Sequence, residues 1–223
     1  MGRFFVIDGT DGSGKGTQTR LIVERLRHQG YDVEMVDFPQ YGTKSAGMVE
    51  EYLNGRYGSA NEVSPYTASI FYACDRYGGS FRMRRWLDEG KIIIANRYVS
   101  SSMGHQGGKI KDPKERRRYI EWLDHLEFSV MGIPRPDQVI LLYVPSKMGQ
   151  KLVEQKDMRS YLENGPKDIH EKDSDHLSDA ERSYLELCER YDDWSRIDCV
   201  EDGTLLTRKE INEKIWRALE PLL

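Results

Sequence analysis

The feature that most constrains this 223-residue chain is a glycine-rich segment ending in a lysine, residues 9–15, which reads GTDGSGK. It satisfies the pattern G-x-x-x-x-G-K, follows an apolar run at residues 4–7 and precedes an apolar helical stripe. Glycines at this spacing let backbone N–H groups turn around phosphate oxygens, and the following helix directs its positive end at the same anion. An ordinary turn would need neither the lysine nor the spacing. The segment therefore predicts a nucleoside triphosphate site with Lys15 at the terminal phosphates.

The residue after Lys15 departs from the usual phosphate-loop pattern. Serine or threonine normally stands there and supplies a hydroxyl ligand to magnesium, whereas this chain has Gly16 there and Thr17 one place later. The run GSGKGTQ resembles adenylate kinases at this point, and the usual hydroxyl ligand is missing. The residues predicted to bind ATP here are Gly9, Asp11, Gly12, Ser13, Gly14, Lys15, Gly16 and Thr17.

Five short apolar runs predict five strands, with helical patterns between them. The runs cover residues 4–7, 33–38, 92–95, 139–144 and 197–200. Continuous apolar runs are typical of strands that are covered on both faces. Strands that alternate with helices form βαβ crossovers. The chain is therefore predicted to be an α/β protein, a P-loop NTPase three-layer sandwich with a five-stranded, mostly parallel sheet and helices on both faces.

Caps and apolar spacings predict the helices. Ser64 and Pro65 fit the N-cap and first-turn positions of a helix that runs through about Arg76. Ser178 and Glu181 form a capping-box pattern that opens a later helix. The other predicted helices carry Leu21, Ile22 and Leu26, then Leu123, Leu126 and Val130 after Asp112, and finally Ile211, Ile215 and Leu219. Ligands are expected beyond the carboxyl ends of the strands.

Chain length and polarity predict one domain with a mobile segment. A chain of 223 residues with 38% hydrophobic residues is long enough for one sizeable core, so residues 1–223 are predicted to form a single domain. The polar stretch from Gln155 to Ser178 lacks an apolar stripe. It predicts a mobile lid at about residues 151–177.

Charge and cysteine content exclude several classes of partner. The 33 Lys and Arg residues against 37 Asp and Glu residues give a net charge of −4, so no overall attraction to nucleic acid or to an anionic membrane exists. The basic residues between Lys109 and Arg118 are diluted by acidic ones and indicate a solvated helix face. Three widely spaced cysteines show no metal-ligand pattern, and the first apolar run is too short for a signal peptide or a membrane helix. A cytoplasmic protein is expected.

Several segments resemble thymidylate kinases, in the form found in many bacteria and archaea. Residues 38–42 read FPQYG after the second strand, residues 72–76 read YACDR on a helix, and residues 96–106 read NRYVSSSMGHQ. The segments GIPRPD at residues 132–137 and DIHE at residues 168–171 also match. Their joint occurrence, in the right order along nearly the whole chain, is far more specific than any one of them. The resemblance implies a P-loop nucleoside monophosphate kinase that transfers phosphate from ATP to dTMP with Mg²⁺ and forms a homodimer.

The acceptor side combines what the residues indicate with what the resemblance implies. Tyr72 and Arg76 lie four residues apart on one helix, so they share a face and are predicted to offer a ring to the base and a guanidinium to the phosphate. Arg97 follows a predicted strand and is expected to hold the acceptor phosphate near Lys15. The residues assigned to the acceptor are Asp11, Phe38, Pro39, Tyr41, Tyr72, Arg76, Arg97, Ser101, Ser102, His105 and Gln106. The predicted catalytic residues are Lys15, Asp11 and Arg97.

The metal site and the donor clamp are predicted from departures in the pattern. Asn96 stands where the family commonly has aspartate, so one carboxylate expected near the metal is absent. The acidic candidates that remain are Asp8, Asp11 and Glu171, and the resemblance implies that Asp11 and Glu171 lie near the metal. The phosphate loop carries no arginine, so the basic residues of the donor clamp are expected in the lid, at Lys156 and Arg159.

His105 is a further departure from the family. It stands where relatives commonly have a tyrosine or phenylalanine that is thought to crowd the 2′ position of the acceptor sugar. Imidazole is smaller and carries hydrogen-bonding nitrogens. The hypothesis is that this chain discriminates less strictly between deoxyribose and ribose acceptors.

Two other functions stay open at this point. The run GKGT favours an adenylate-type or broader nucleoside monophosphate kinase. The alternative from a different class is a P-loop protein that binds nucleotide without catalysis, such as a GTP switch. No Asn-Lys-x-Asp motif, which would read guanine, occurs in the sequence to support a switch.

Overall fold

The computed structural model describes residues 2–154 and 174–223, which form a five-stranded sheet with helices on both faces. The strands are β1 Arg3–Gly9, β2 Val33–Asp37, β3 Ile92–Asn96, β4 Gln138–Tyr143 and β5 Trp194–Asp198. They lie in the order β2-β3-β1-β4-β5, and each neighbouring pair is parallel. The predicted α/β fold is confirmed. The chain leaves β1 toward one side of the sheet and later crosses to the other, so the carboxyl ends of β1 and β3 border the crevice where such sheets bind ligands.

The helices cover both faces of this sheet. They are α1 Lys15–His28, α2 Gly47–Leu53, α3 Pro65–Asp88, α4 Val99–Gly108, α5 Pro113–Asp124, α6 Ser146–Glu154, α7 Ser174–Arg190 and α8 Arg208–Leu219. A π-helical turn, His125–Val130, continues α5, and a short antiparallel hairpin joins β6 Val200–Glu201 to β7 Thr204–Leu205. None of the helices in these ranges is long and apolar enough to cross a membrane.

Alternate residues of β1 enter two separate hydrophobic cores. Phe4 and Val6 pack on one face with side chains of α3, α4, α5 and α7. Phe5 and Ile7 pack on the other face with α1 and α8. Because successive side chains of a strand point to opposite faces, a strand covered on both sides needs an uninterrupted apolar run. This requirement explains the continuous hydrophobic sequence that precedes the phosphate loop.

The helix that opens at Ser64 is longer than predicted. Ser64 caps it as expected, with its Oγ accepting from the Thr67 N–H at 3.1 Å, but α3 runs on to Asp88 rather than ending near Arg76. It passes through Gly78 and Gly79, two residues of low helix propensity. A Cβ atom at Gly79 would lie 2.9 Å from the ring of Phe38, so the glycine lets the helix pack closely against the end of β2.

The predicted capping box at Ser178 is wrong. Helix α7 begins at Ser174, so Ser178 lies inside it. The Glu181 carboxylate instead accepts from the Ser146 backbone N–H at 3.0 Å and from the Tyr143 hydroxyl at 2.7 Å. The acid therefore joins α7 to the start of α6, a tertiary contact that a local sequence pattern does not reveal.

Two other elements also differ from the sequence prediction. The last strand of the sheet ends at Asp198, and Val200 belongs to the β6–β7 hairpin instead. Helix α4 was not predicted, because its sequence VSSSMGHQGG is rich in residues of low helix propensity. Tertiary packing requires this composition: a Cβ atom at Gly104 would lie 2.4 Å from the ring of Tyr184 in α7.

Candidate active site

The phosphate loop connects the end of β1 to the start of α1, as the sequence predicts. Gly12 and Gly14 have φ angles of 86° and 80°, in the left-handed region that favours glycine. A Cβ atom at Gly12 would lie 2.3 Å from the carbonyl oxygen of Gly149, so α6 packs directly on the loop. The hydroxyls of Thr10 and Ser13 are buried without a hydrogen-bond partner in the part of the chain that the structure describes. Unsatisfied buried donors at a helix N-terminus fit a phosphate ligand.

The Lys15 ammonium group lies inside this loop. It donates to the Thr10 carbonyl oxygen at 3.1 Å and to Asp11 Oδ1 at 3.3 Å, and 8% of the residue is exposed. Asp8, which directly precedes the loop, is fully buried and accepts from the hydroxyls of Ser100 at 2.5 Å and Tyr184 at 3.0 Å. The acid therefore fixes the end of β1 to α4 and α7.

Arg97 stands at the carboxyl end of β3 with a φ of 67°, a conformation that is uncommon for a residue other than glycine. Its Nη2 donates to Asp11 Oδ1 at 2.5 Å, and its Nη1 lies 3.3 Å from Ser101 Oγ and 3.0 Å from His105 Nε2. Because a guanidinium has no acceptor, Nε2 of His105 must accept this bond. Burial lowers the pKa of Arg97, but the Asp11 carboxylate raises it on balance, so the guanidinium is charged.

A cavity opens beside Arg97. It is lined by all eleven residues that the sequence assigns to the acceptor, together with Leu53 and Tyr98. They come from the loop after β1, the segment after β2, the middle of α3 and the face of α4. The prediction did not include Leu53 because α2, at whose end it lies, carries no motif. Counting the end of α2, the structure thus brings five distant segments to one pocket.

The far end of the cavity contains a buried ion pair. The Nε and Nη2 of Arg76 donate to the two carboxylate oxygens of Glu127, each at 2.6 Å. Arg76 is 2% exposed and Glu127 is fully buried. Sequence reasoning missed Glu127, although a signal existed: it follows Tyr119 and Leu123 at four-residue steps on the core-facing stripe of a helix, where a charge needs a partner.

Gln106 adds an unsatisfied acceptor to the same end of the cavity. Its side chain is 1% exposed, and its Oε1 has no hydrogen-bond partner within residues 2–154 and 174–223. A buried amide oxygen that lacks a donor costs free energy unless a ligand supplies one. The wall of the cavity therefore offers both a guanidinium donor, from Arg76, and an amide acceptor, from Gln106.

The structure also brings a carboxylate to Asn96. Asp37 and Asn96 are Cα partners at the carboxyl ends of β2 and β3, and Asn96 Nδ2 donates to Asp37 Oδ1 at 2.7 Å. Asn96 Oδ1 is buried without a partner in the described ranges, and both residues line a cleft with Lys15 and Thr17. Carboxylate and amide oxygens are suitable ligands for Mg²⁺. Position 96 lacks a carboxylate, but the neighbouring strand β2 supplies one, from Asp37 at its carboxyl end.

Most of the other residues predicted to bind the metal or the donor cannot be placed. Lys156, Arg159 and Glu171 lie outside the described residues, as does most of the predicted lid at residues 151–177. Outside that gap, no group of three or more His, Cys, Asp or Glu side chains gathers to hold a metal. Asp11 is the predicted metal residue whose position is known, beside Lys15 and Arg97.

The phosphate loop between β1 and α1, the parallel sheet in this strand order and the neighbouring cavity define a P-loop kinase. The family model "Thymidylate kinase" matches residues 7–211. The chain belongs to the thymidylate kinase family and is a phosphotransferase, which confirms the resemblance seen in the sequence.

Curated relatives and a solved structure agree with this membership. A thymidylate kinase of Exiguobacterium sp. is 27% identical over 206 residues and covers 92% of each chain. A probable thymidylate kinase of Thermococcus onnurineus is 30% identical over 194 residues, covering 84% of this chain and 85% of the relative. The structure of thymidylate kinase from Candida albicans superposes with a TM-score of 0.74 at 19% identity and covers 99% of this chain and 92% of that one.

Proposed function

We propose that this chain transfers the γ-phosphoryl group of ATP to dTMP, giving ADP and dTDP. The observation that carries the proposal is the junction of two sites: Asp11 and Arg97 line both the acceptor cavity and the cleft that contains Lys15. An acceptor phosphate held by Arg97 would lie next to the donor phosphates on the loop. Such proximity of two bound reactants supplies much of the rate enhancement in phosphoryl transfer.

The reaction needs cations rather than a protein nucleophile. An oxygen of the acceptor phosphate attacks the γ-phosphorus in line, and the bond to the β–γ bridging oxygen breaks. Lys15 and the loop N–H groups hold the donor, and Arg97 offsets the charge of the acceptor. Mg²⁺, when bound, offsets the charge of the donor phosphates, and Asp11, Asp37 and Asn96 are the described residues whose oxygens would hold it.

The base end of the cavity supports thymine as the acceptor base. Glu127 neutralises the charge of Arg76, so Arg76 is better suited to a neutral carbonyl than to the phosphate that the sequence first suggested. An N–H of Arg76 and Oε1 of Gln106 match the O4 acceptor and N3–H donor of thymine. Cytosine presents the reverse order and would leave both groups unsatisfied. Tyr72, on the same wall, offers a ring for stacking.

Helix α3 supports the proposal that two copies associate. Tyr66, Ile70, Tyr77 and Phe81 are 37%, 43%, 42% and 59% exposed, and with exposed Cys74 they form one stripe at spacings of three and four residues. An exposed apolar stripe of this length is typical of an interaction surface. A second copy related by a two-fold axis would cover the stripe with its own equivalent.

Lys156, Arg159 and Glu171 remain the proposed residues of the donor clamp and metal site.

The test is an enzyme-linked ADP-release assay with MgATP and a panel of dTMP, dUMP, dCMP, dGMP and AMP. We expect dTMP to have the highest kcat/KM, dUMP to follow, and dCMP and AMP to be lower by at least about a hundredfold, because each would leave a buried donor or acceptor unpaired. Comparable turnover of AMP or dCMP would instead identify a broader nucleoside monophosphate kinase. Absence of turnover with every acceptor would contradict a catalytic role.

A further inference from the structure

Arg76, which pairs with buried Glu127, makes more hydrogen bonds than a salt bridge alone requires. Arg76 has five N–H groups, and four donate within the described ranges: two to Glu127, one to Ser102 Oγ at 3.0 Å and one to the Tyr98 carbonyl oxygen at 3.2 Å. The four bonds go to three different groups. The guanidinium therefore has one orientation, in which one N–H of Nη1 is left for the cavity that Arg76 lines.

The Glu127 carboxylate also determines the net charge at the end of the cavity where Arg76 lies. Both side chains are almost completely buried. Burial lowers the pKa of Arg76, and the Glu127 carboxylate raises it on balance, so the guanidinium stays protonated. A buried cation without its anion would attract any negatively charged group, such as the phosphate of a nucleotide bound in reverse. With Glu127 in place, Arg76 is a hydrogen-bond donor in a neutral pair.

The backbone at Glu127 is built to place this carboxylate. Glu127 lies in the π-helical turn His125–Val130 that follows α5, where the Met131 N–H donates to the Leu126 carbonyl oxygen at 2.9 Å. The wider π turn interrupts the regular α-helical spacing, and such turns frequently occur at functional sites. Neither α5 nor this turn supplies a residue to the wall of the cavity, so Glu127 reaches it only through Arg76.

We propose that Glu127 is a positioning residue for acceptor recognition: it orients and neutralises Arg76 so that the pocket selects a base with a carbonyl acceptor at this point. The proposal rests on the proposed function, in which Arg76 faces the base. Glu127 itself does not line the cavity, and it acts through Arg76. It makes the selectivity between thymine and cytosine depend on a residue that does not touch the base.

The chain contains a matched control for this pair. Arg116 is also 2% exposed and is held bidentately by Glu186, with Nε to Oε2 at 2.9 Å and Nη2 to Oε1 at 2.7 Å. This second pair joins α5 to α7 and does not line the acceptor cavity. Glu186→Gln therefore breaks a bidentate pair of similar geometry, whose carboxylate side chain is 45% exposed, without touching Arg76.

The experiment measures the dissociation constants of dTMP and dCMP by calorimetry for the wild type, Glu127→Gln, Glu186→Gln, Arg76→Met and the double variant Arg76→Met/Glu127→Gln. We expect Glu127→Gln to lower the preference for dTMP over dCMP at least about tenfold, the size of one lost hydrogen bond to a charged group. Glu186→Gln should lower the melting temperature and leave that preference unchanged. The preference is a ratio of affinities, so a smaller folded fraction does not alter it.

The double variant tests whether Glu127 acts through Arg76. If it does, Arg76→Met and the double variant have the same preference, because the group that Glu127 positions is already gone. The double variant also removes both buried charges, so it folds even where Glu127→Gln alone is unstable. Two results would overturn this inference and leave the proposed function intact: Glu127→Gln keeps the wild-type preference for dTMP, or the double variant has a lower preference than Arg76→Met. A wild type without preference for dTMP would overturn the proposed function as well.

Discussion

At the scale of single residues, Lys15 gives the most direct prediction. Lys15→Ala should reduce kcat at least about a hundredfold, because it removes the positive charge that the structure places inside the phosphate loop. The fold should persist, since Lys15 contacts the loop rather than either hydrophobic core. The measurements are steady-state kinetics and a thermal melt, with Lys209→Ala at an exposed position of α8 as the control. Activity within a few fold of the wild type would refute the phosphate-loop mechanism.

His105 carries the second prediction at this scale. Its ring lines the acceptor cavity, and its Nε2 lies 3.0 Å from Nη1 of Arg97, so it stands beside the arginine that is proposed to hold the acceptor phosphate. His105→Tyr should raise the ratio of kcat/KM for dTMP over ribothymidine monophosphate, because the larger ring leaves less space for a 2′-hydroxyl. Steric rejection of one hydroxyl is worth roughly a hundredfold at best. A ratio that the substitution does not move would show that His105 does not set sugar preference.

The sequence was most informative at this scale where a residue belongs to a motif. All eleven residues that the sequence assigns to the acceptor line one cavity, because strand ends and helix faces can be predicted from local spacing, and their role in binding stays a prediction. Glu127 and Asp37 were not predicted, since each depends on a partner from a distant segment, Arg76 and Asn96. Only the folded chain reveals which hydrogen-bond donor a lone carboxylate meets.

At the scale of elements, Gly104 is the position where α4 and α7 touch most closely. A Cβ atom there would lie 2.4 Å from the Tyr184 ring, whose hydroxyl donates to Asp8. Gly104→Ala should therefore lower the free energy of unfolding by about 2 kcal/mol, within the range for overpacked cores, and disturb the end of β1. Urea denaturation measures the loss. Gly47→Ala is the control, since no atom lies within 4 Å of the added Cβ, and it should leave stability unchanged or slightly higher.

Element boundaries were less predictable than the elements themselves. The strands β1, β3 and β4 were predicted almost to their ends, because a run buried on both faces is a strong signal, whereas the run predicted at residues 197–200 overlaps β5 only at residues 197 and 198. Helix α4 was missed and α3 was predicted too short, since glycine marks both a chain break and a close approach of two elements. Gly79 and Gly104 are of the second kind. The aromatic rings that pack on them belong to Phe38 and Tyr184, which are distant in sequence, so local sequence does not reveal these close contacts.

At the scale of the whole molecule, the stripe on α3 predicts a dimer that Cys74 can report. Cys74 lies near the middle of the stripe that runs from Tyr66 to Phe81, and a two-fold axis through the middle of an isologous contact brings a residue next to its own copy. Mild oxidation should then produce a disulfide-linked dimer of the wild type and none of Cys74→Ser. Burial raises the pKa of Cys188 to about 11 and that of Cys199 to about 12, so their thiols react slowly by comparison.

Phe81→Arg tests the same dimer contact without the oxidation of Cys74. A charge at the most exposed aromatic residue of the stripe should shift the protein from dimer to monomer in sedimentation equilibrium. Tyr31→Arg, outside α3 and 39% exposed, is the matched control and should sediment as the wild type does. A wild type that sediments as a monomer at micromolar concentration would exclude this surface as a stable interface.

The two substrate sites share one carboxylate. Asp11 Oδ1 accepts from Lys15 at 3.3 Å and from Arg97 at 2.5 Å, so a single oxygen ties the donor cation to the acceptor cation. A nucleotide that draws one of these cations toward its phosphates changes the charge that the other cation sees. Occupancy of either site must then alter affinity at the other, and thermodynamic reciprocity requires the factor to be the same in both directions. The structure thus predicts that the dissociation constant of ATP changes when the acceptor is bound, and that calorimetric titrations in either order give the same factor.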